Sequence, residues 1–376
     1  MAKPISGEKM FKALKDKNCI VMAVNTRVTK GVVHGIMRAA KDADAAVIFE
    51  LAKSESDLKG GYTGITPKMF GDVVCADAEK VGFDVWALHA DHITIKKGTP
   101  EELVEIKKLI DAQIEAGYTS FAIDASFLFN LEGENVHEQL AKNIEVTTEL
   151  ARYIEKKKGT RDFGLEVEVG EIGKKDASGL VLTSVEEAVE FIGALKKNEI
   201  DPDVLAIANG SSHGNIYKDG KMVAQVSINI PRTKEIAGAL RAKGWHVRIA
   251  QHGITGTPLE FIASHFPKGD VIKGNVGTFW QNIVWETFKV FEPELLEEIK
   301  EWTKKTYGEE ATKKGITSDE EIFGKYGKNA IKPFYGKIYA MKKETERALE
   351  ARAYADALVF FRAFGAEGSA EIVRKS

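Results

Sequence analysis

The chain repeats one pattern: an apolar, β-branched run of six or seven residues, then a longer stretch with helical periodicity. Strands are expected at 19–25, 45–51, 84–90, 119–124, 164–169, 204–209, 246–252 and 270–275. Between them lie segments such as TPEELVEIKKLIDAQIEAG. There Thr99 offers an N-cap acceptor, Pro100 fits the first turn and Gly117 tolerates the left-handed closing conformation. In TSVEEAVEFIGALKKN, Ser184 and Glu187 stand at capping-box spacing. Parallel neighbours need a crossover, usually a helix, so strict alternation argues for a parallel sheet. Eight units fit a closed (β/α)8 TIM barrel better than an open doubly wound sheet, which leaves edge strands. No Gly-rich dinucleotide fingerprint follows the first strand, and GGYTG at 60–64 has no strand directly before it, so it reads as a flexible loop. The expected organisation is a barrel over 1–278 and a C-terminal helical extension over 279–376, packed on the barrel or on a neighbouring subunit. Trp280, Trp285, Phe288 and Phe291 recur at helical spacing there and read as packing surface.

Composition narrows the partners. Lys and Arg number 53 against 56 Asp and Glu, a formal net charge of −3 with no electrostatic footprint for nucleic acid. No apolar stretch approaches the roughly 20 residues that cross a bilayer. The start, MAKPISGEKMF, lacks the layout of a signal peptide. The expectation is a cytoplasmic protein without nucleic-acid or membrane partners. Cys19 and Cys75 make neither a disulfide framework nor a Cys-type zinc site.

Active sites of such barrels form at the carboxyl ends of the strands, and that is where polar residues fall. Asn25 ends the first strand and Glu50 the second, while Asp91 and His92 follow the third. Asp124 and Glu168 end the fourth and fifth, Asn209 and His213 follow the sixth, and His252 and Asn275 end the last two. Histidines on strands three, six and seven thus converge on one mouth. Neutral imidazoles so arranged hold Zn²⁺ or a similar divalent ion and leave positions open for substrate. Asp124 and Glu168 would form a second metal position or orient the histidines. His89 shares the face of Asp91 one layer deeper, which assigns it a supporting role. His34, His137 and His265 fall in helical stretches and His246 opens its strand, all outside the site. The loops HGITGTP (252–258) and GNVGT (274–278) are either tight turns or phosphate cradles of backbone amides, with hydroxyls from Thr255 and Thr278.

With these residues assembled, the chain resembles the class II, metal-dependent fructose-bisphosphate aldolases. The resemblance is carried by HADH, FAIDAS, LEVEVG, SSHGNIY, HGITG and VIKGNVGT, and runs from the first strand through the eighth. It implies His92, His213 and His252 as zinc ligands, with Asp124 and Glu168 at a second position for a divalent or monovalent cation. It makes Asp91 the acid/base at the C4 hydroxyl. Asn25 and Asn275 would face the substrate, with Gly214, Gly253, Thr255 and Thr278 in its phosphate-binding loops. Aldol cleavage fits these roles, because the C4 hydroxyl must lose its proton while electrons flow toward the C2 carbonyl.

Five departures stand out. The loop EIGKKDASG carries Lys175 and Asp176 where the family has a Glu pair, so Asp176 becomes the candidate proton carrier at C3, with Glu171 earlier in the loop. Ile254, Gly277 and Ala52 replace a usual Gly, a polar residue and a Ser, and no C-terminal Arg matches the one some members use for the distal phosphate. The leading expectation is a zinc-dependent aldolase cleaving a ketose (bis)phosphate, fructose 1,6-bisphosphate first, to dihydroxyacetone phosphate and glyceraldehyde 3-phosphate, in a homodimer or homotetramer. The alternative is a metal-dependent C4-epimerase of a fructose/tagatose-type sugar or its phosphate. A Schiff-base aldolase would have to use Lys273, and a silent barrel would have no need of the histidines.

Overall fold

The computed structural model describes residues 2–171, 175–176, 179–218 and 220–376, with backbone alone at 175–176 and 179–180. Eight strands close into a parallel barrel in chain order. They are β1 (Val21–Asn25), β2 (Val47–Ala52), β3 (Trp86–Thr94), β4 (Ser120–Asp124), β5 (Gly164–Glu168), β6 (Val204–Ala206), β7 (Arg248–Gln251) and β8 (Val271–Val276). β8 returns to β1, with Val21 beside Lys273 and Ala23 beside Asn275, so no edge is left open. Nearly every strand residue is buried, as expected of parallel strands covered by helices outside and side chains within. The expected positions hold to within a few residues, and the eight-stranded barrel is the observed fold. β6 stops at Ala206 instead of 209, and Asn209 beyond it bonds Thr233 and Gln251, packing the barrel wall. Two short antiparallel ribbons, 175–176 with 179–180 and 216–218 with 221–223, lie in loops after β5 and β6. Pieces of two or three residues leave no periodicity to read.

The crossovers are α2 (Val32–Asp42) and α3 (Pro67–Val81), then α4 (Pro100–Glu115), α5 (Val136–Lys158), α6 (Val185–Lys197), α7 (Ile230–Ala242) and α8 (Leu259–His265), preceded by α1 (Gly7–Leu14). The caps form as read: Thr99 accepts from the Glu102 amide, and Ser184 and Glu187 make a reciprocal capping box. Ahead of β1, Ile5 and Gly7 donate backbone hydrogen bonds to Trp86 and Thr119, and α1 packs against β3 and β5. After β8 come α9 (Thr278–Phe291), α10 (Pro293–Lys313), α11 (Asp319–Tyr326), α12 (Tyr335–Tyr339), α13 (Lys343–Phe364) and α14 (Ser369–Lys375). α13 packs on α2, α8 and β1, taking the outer position between first and seventh crossovers. Trp280, Trp285 and Phe288 are buried as read, whereas Phe291, at the end of α9, is 37% exposed. Among the described residues no helix is long and apolar enough to cross a membrane.

The stretch at 60–64, read as a flexible loop, is a hydrogen-bonded turn. Gly60, Gly61 and Gly64 take positive φ, and the buried Thr63 hydroxyl donates to the Glu55 carbonyl at 2.7 Å.

Candidate active site

Strand β3 sets the site. The sequence places Asp91 and His92 just past its end, but the strand continues to Thr94. Its pairing with β4 slips between Ala90 and Ile93, and His92 takes a φ of +37°. Regular alternation sends consecutive side chains to opposite faces. The irregularity, acting as a bulge, cancels that here and turns both Asp91 and His92 into the mouth. A positive φ on a residue with a Cβ is strained, and such strain concentrates at functional sites.

His92 stands at the centre. Its Nε2 lies 2.8 Å from His252 Nδ1, and its Nδ1 is 3.0 Å from Glu168 and 3.5 Å from Asp124. The ring of His213, from the loop after β6, meets His92 edge-on at 5.3 Å between centroids. His213 and His252 are 6.1 Å apart by the same measure. Burial alone would favour a neutral His92, but Asp91 and Glu168 outweigh it and raise its pKa well above the usual value. Burial, with Asp124 beside it, pushes Glu168 up to about 8.

Asp91 is held by two amides. Asn25 donates to one carboxylate oxygen at 2.9 Å and Asn275 to the other at 3.1 Å. Although burial opposes its ionisation, His92, Lys273 and His252 together hold it below the ordinary carboxylate range. The two asparagines, read as substrate-facing, therefore also fix the orientation of Asp91. The Oδ1 atom of Asn275 is buried without a partner.

Beneath this mouth lies a second polar layer. Glu50, His89, Glu166 and Lys273 are all at most 1% exposed. Lys273 Nζ donates to Glu166 at 2.7 Å and lies 3.0 Å from Glu50. His89 bonds Ser120 at 2.7 Å and sits 3.4 Å from Glu166. Burial, with Lys273 nearby, lowers its pKa to about 4 and keeps it neutral. Glu166 escaped the sequence reading, although its two-residue offset from Glu168 puts both on one face.

The donor set fits a cation. Ligand atoms of Asp91, His92 and His252 lie within 4.8 Å of one another, and so do those of His92, Asp124 and Glu168. His252 Nε2 bonds Glu166 at 2.8 Å, the carboxylate–histidine arrangement that aims the other ring nitrogen at a metal. His213 lies alongside through its ring, and its nitrogens fall outside these groups. A third group, Glu50, His89 and Asp91, already holds the ammonium of Lys273, which takes a cation's place.

Asp91, His92, Asp124, Glu168, His213 and His252 line a cleft of about 600 Å³ together with Asn25, Gly214, Gly253, Thr255, Asn275 and Thr278. At Gly253, φ is +65° and a Cβ would meet the Ser212 carbonyl at 2.6 Å, so the turn demands glycine. Thr255 accepts from the Phe279 amide at 3.1 Å and Thr278 from Arg27 at 3.2 Å. Both hydroxyls thus already accept one bond from the protein. Glu171 lines the same cleft, and the side chain of Asp176 lies outside the described residues. Arg27, Glu55 and Lys328 line it too and were not read from the sequence.

A closed parallel barrel with histidines and carboxylates gathered at its carboxyl end has the layout of a barrel enzyme with a metal centre. The sequence model described as fructose-bisphosphate aldolase class-II matches residues 5–328, and the chain belongs to that family of lyases. D-tagatose-1,6-bisphosphate aldolase subunit GatZ of Escherichia coli O1:K1 is 24% identical over 177 residues. That match covers 44% of this chain and 42% of the relative, so the chain spans well under half the length of the curated relatives it matches. Among solved structures, the YdjI aldolase of Escherichia coli K12 superposes with a TM-score of 0.61 at 17% identity, covering 98% of this chain and 99% of that one. The fructose-bisphosphate aldolase of Campylobacter jejuni gives 0.62 at 18% identity, covering 98% and 97%. At such identities these two likenesses speak for the fold.

Proposed function

We propose that the chain is a zinc-dependent aldolase that reversibly cleaves a ketose phosphate. Fructose 1,6-bisphosphate is the foremost substrate, giving dihydroxyacetone phosphate and glyceraldehyde 3-phosphate. The observation that carries this reading is Asp91, oriented by Asn25 and Asn275 and set beside the His92–His252 pair. His92, His213 and His252 would hold the zinc, and Asp124 and Glu168 a second cation. A bound divalent ion supplies Lewis-acid polarisation of the substrate's C2 carbonyl. Asp91, ionised and buried, takes the C4 hydroxyl proton as the C3–C4 bond breaks, then returns it in the reverse direction. Asp176 would carry the C3 proton from the loop after β5. Gly214, Gly253, Thr255 and Thr278 would face the substrate phosphate near the start of α9.

The relatives named for tagatose 1,6-bisphosphate, the C4 epimer, make both bisphosphates the proper assay pair. Chelation is expected to abolish cleavage and zinc to restore it. Full activity in metal-free protein would sink the metal role, and interconversion of the epimers without net cleavage would replace the aldolase with a C4-epimerase. The reading includes a cytoplasmic homodimer or homotetramer, supported by apolar Val290, Phe291 and Val359 left exposed on α9 and α13. Light scattering on the purified chain tests the assembly, and a monomer at micromolar concentration would refute it.

A further inference from the structure

We infer that Arg27 and Lys328 form a cationic clamp for the phosphate at the ketose end of the substrate. Lys328 would be delivered by the C-terminal segment and set in place by the turn at 60–64. The identity of the anion rests on the aldolase reading; the clamp itself rests on the following geometry.

Arg27 follows β1 by two residues and lies across the mouth. Its Nε donates to Glu55 at 2.6 Å, and its Nη1 to Thr278 at 3.2 Å and Gln281 at 3.0 Å. A side chain at position 277 would meet its Nη2, because a Cβ there lies 3.3 Å from that nitrogen. The glycine that departs from the family pattern thus makes room for a guanidinium at the start of α9. Planar guanidinium groups are well suited to phosphate, which they bind through paired N–H donors.

Lys328 reaches the same cleft from the 3₁₀ turn Gly327–Ala330. Its ammonium lies 5.4 Å from the centre of the Tyr62 ring, and the Arg27 guanidinium carbon lies 5.9 Å from it. Two cations therefore share one aromatic ring. Glu55, the carboxylate beside them, is already taken: it accepts from Asn25, Arg27, the Ala52 amide and the Tyr62 hydroxyl at 2.6–3.1 Å. No salt bridge is formed by Lys328 among the described residues. Burial and the neighbouring Arg27 lower its pKa. Glu55 is the carboxylate that bonds Arg27 and its acceptors are filled, so the Lys328 ammonium lines the cleft with no carboxylate bonded to it among the described residues, a position that a dianionic phosphate satisfies better than a neutral hydroxymethyl group.

The turn at 60–64 explains how a residue so late in the chain arrives here. The Lys332 amide donates to the Tyr62 carbonyl at 3.1 Å, and the Lys332 ammonium to the Lys59 and Gly61 carbonyls at 2.8 and 3.1 Å. The C-terminal segment is thereby docked on the turn that carries Tyr62.

The test uses the zinc-loaded full chain as the parent, with Lys328→Met, Lys328→Arg and Arg27→Met variants, each checked for retained fold by circular dichroism. The ratio of kcat/KM for fructose 1,6-bisphosphate to that for fructose 6-phosphate, which lacks the C1 phosphate, should fall about tenfold in Lys328→Met, the size of one lost charge-assisted hydrogen bond. Arg27→Met should fall at least as far, and Lys328→Arg should recover most of the ratio. Calorimetric titration with inorganic phosphate should show the same order of affinities. An unchanged ratio in Lys328→Met overturns the clamp. If the parent cleaves neither sugar, the aldolase reading fails and the phosphate titration alone decides, with equal affinity in parent and Lys328→Met counting against the clamp.

Discussion

The mouth and the layer beneath it are built from the same residue types yet behave differently. In the deeper layer, Lys273 sits between Glu50 and Glu166, burial and Asp91 raise the Glu50 pKa well above the usual value, and His89 is neutral against Ser120, so the ammonium is matched chiefly by Glu166. In the mouth, His92 is crowded by His252, Glu168 and Asp124 in a strained backbone conformation, and Asp91 and Glu168 raise its pKa well above the usual value. The lower set encloses the ammonium of Lys273; the upper set brings together two groups of ligand atoms within 4.8 Å that could hold a cation. A buried charge without its partner is expensive, so each variant below should reveal which kind of residue it removes.

The largest stability effect belongs to the lower layer. Lys273→Met leaves Glu50 and Glu166 without their cation and should cost roughly 3–5 kcal/mol, read from denaturant unfolding; a loss under about 1 kcal/mol would mean that the layer is not held by this charge. In the mouth the same scale of effect should appear in turnover. Asp91→Asn keeps the shape and the Asn25 and Asn275 neighbours but cannot take a proton, and kcat should fall about 10²–10⁴-fold with zinc retained. A fall in zinc content would show that Asp91 is a ligand instead.

A smaller effect comes from the opposite end of the barrel, where burial of a carboxyl outweighs the nearby Lys12. Burial pushes Asp203 up to about 7 from 3.8, even though it accepts the Leu165 amide at 3.0 Å. The folded chain therefore holds this proton longer than the unfolded chain. Its contribution is complete below about pH 4 and is lost as pH rises through 7. Asp203→Asn keeps an acceptor for Leu165 and cannot ionise, so it should gain on the order of 1–3 kcal/mol at pH 8 and nothing at pH 4. Thermal melts at the two pH values check this, and a variant less stable at pH 8 would contradict it.

How much was legible follows from how each feature is encoded. Strand positions and their polar carboxyl ends could be read because every barrel strand is buried on both faces and ends in a side chain of different chemistry. The extension of β3 could not, since a bulge breaks the two-residue period that reading depends on. Glu166 was within reach of that period and stands with Glu168 in LEVEVG, but the sequence reading gave a role to Glu168 alone. Arg27, Glu55, Tyr62 and Lys328 meet only through docked turns, and no local pattern joins positions so far apart. The expectation for Asp176 concerns a side chain outside the described residues.

The central claim is that His92, not His89, belongs to the metal site. Zinc content per chain, measured after dialysis for the parent, His92→Ala and His89→Ala, tests it most directly. The account predicts zinc in the parent, loss of it in His92→Ala with the fold intact, and retention in a less stable His89→Ala; zinc kept by His92→Ala and lost by His89→Ala would contradict it.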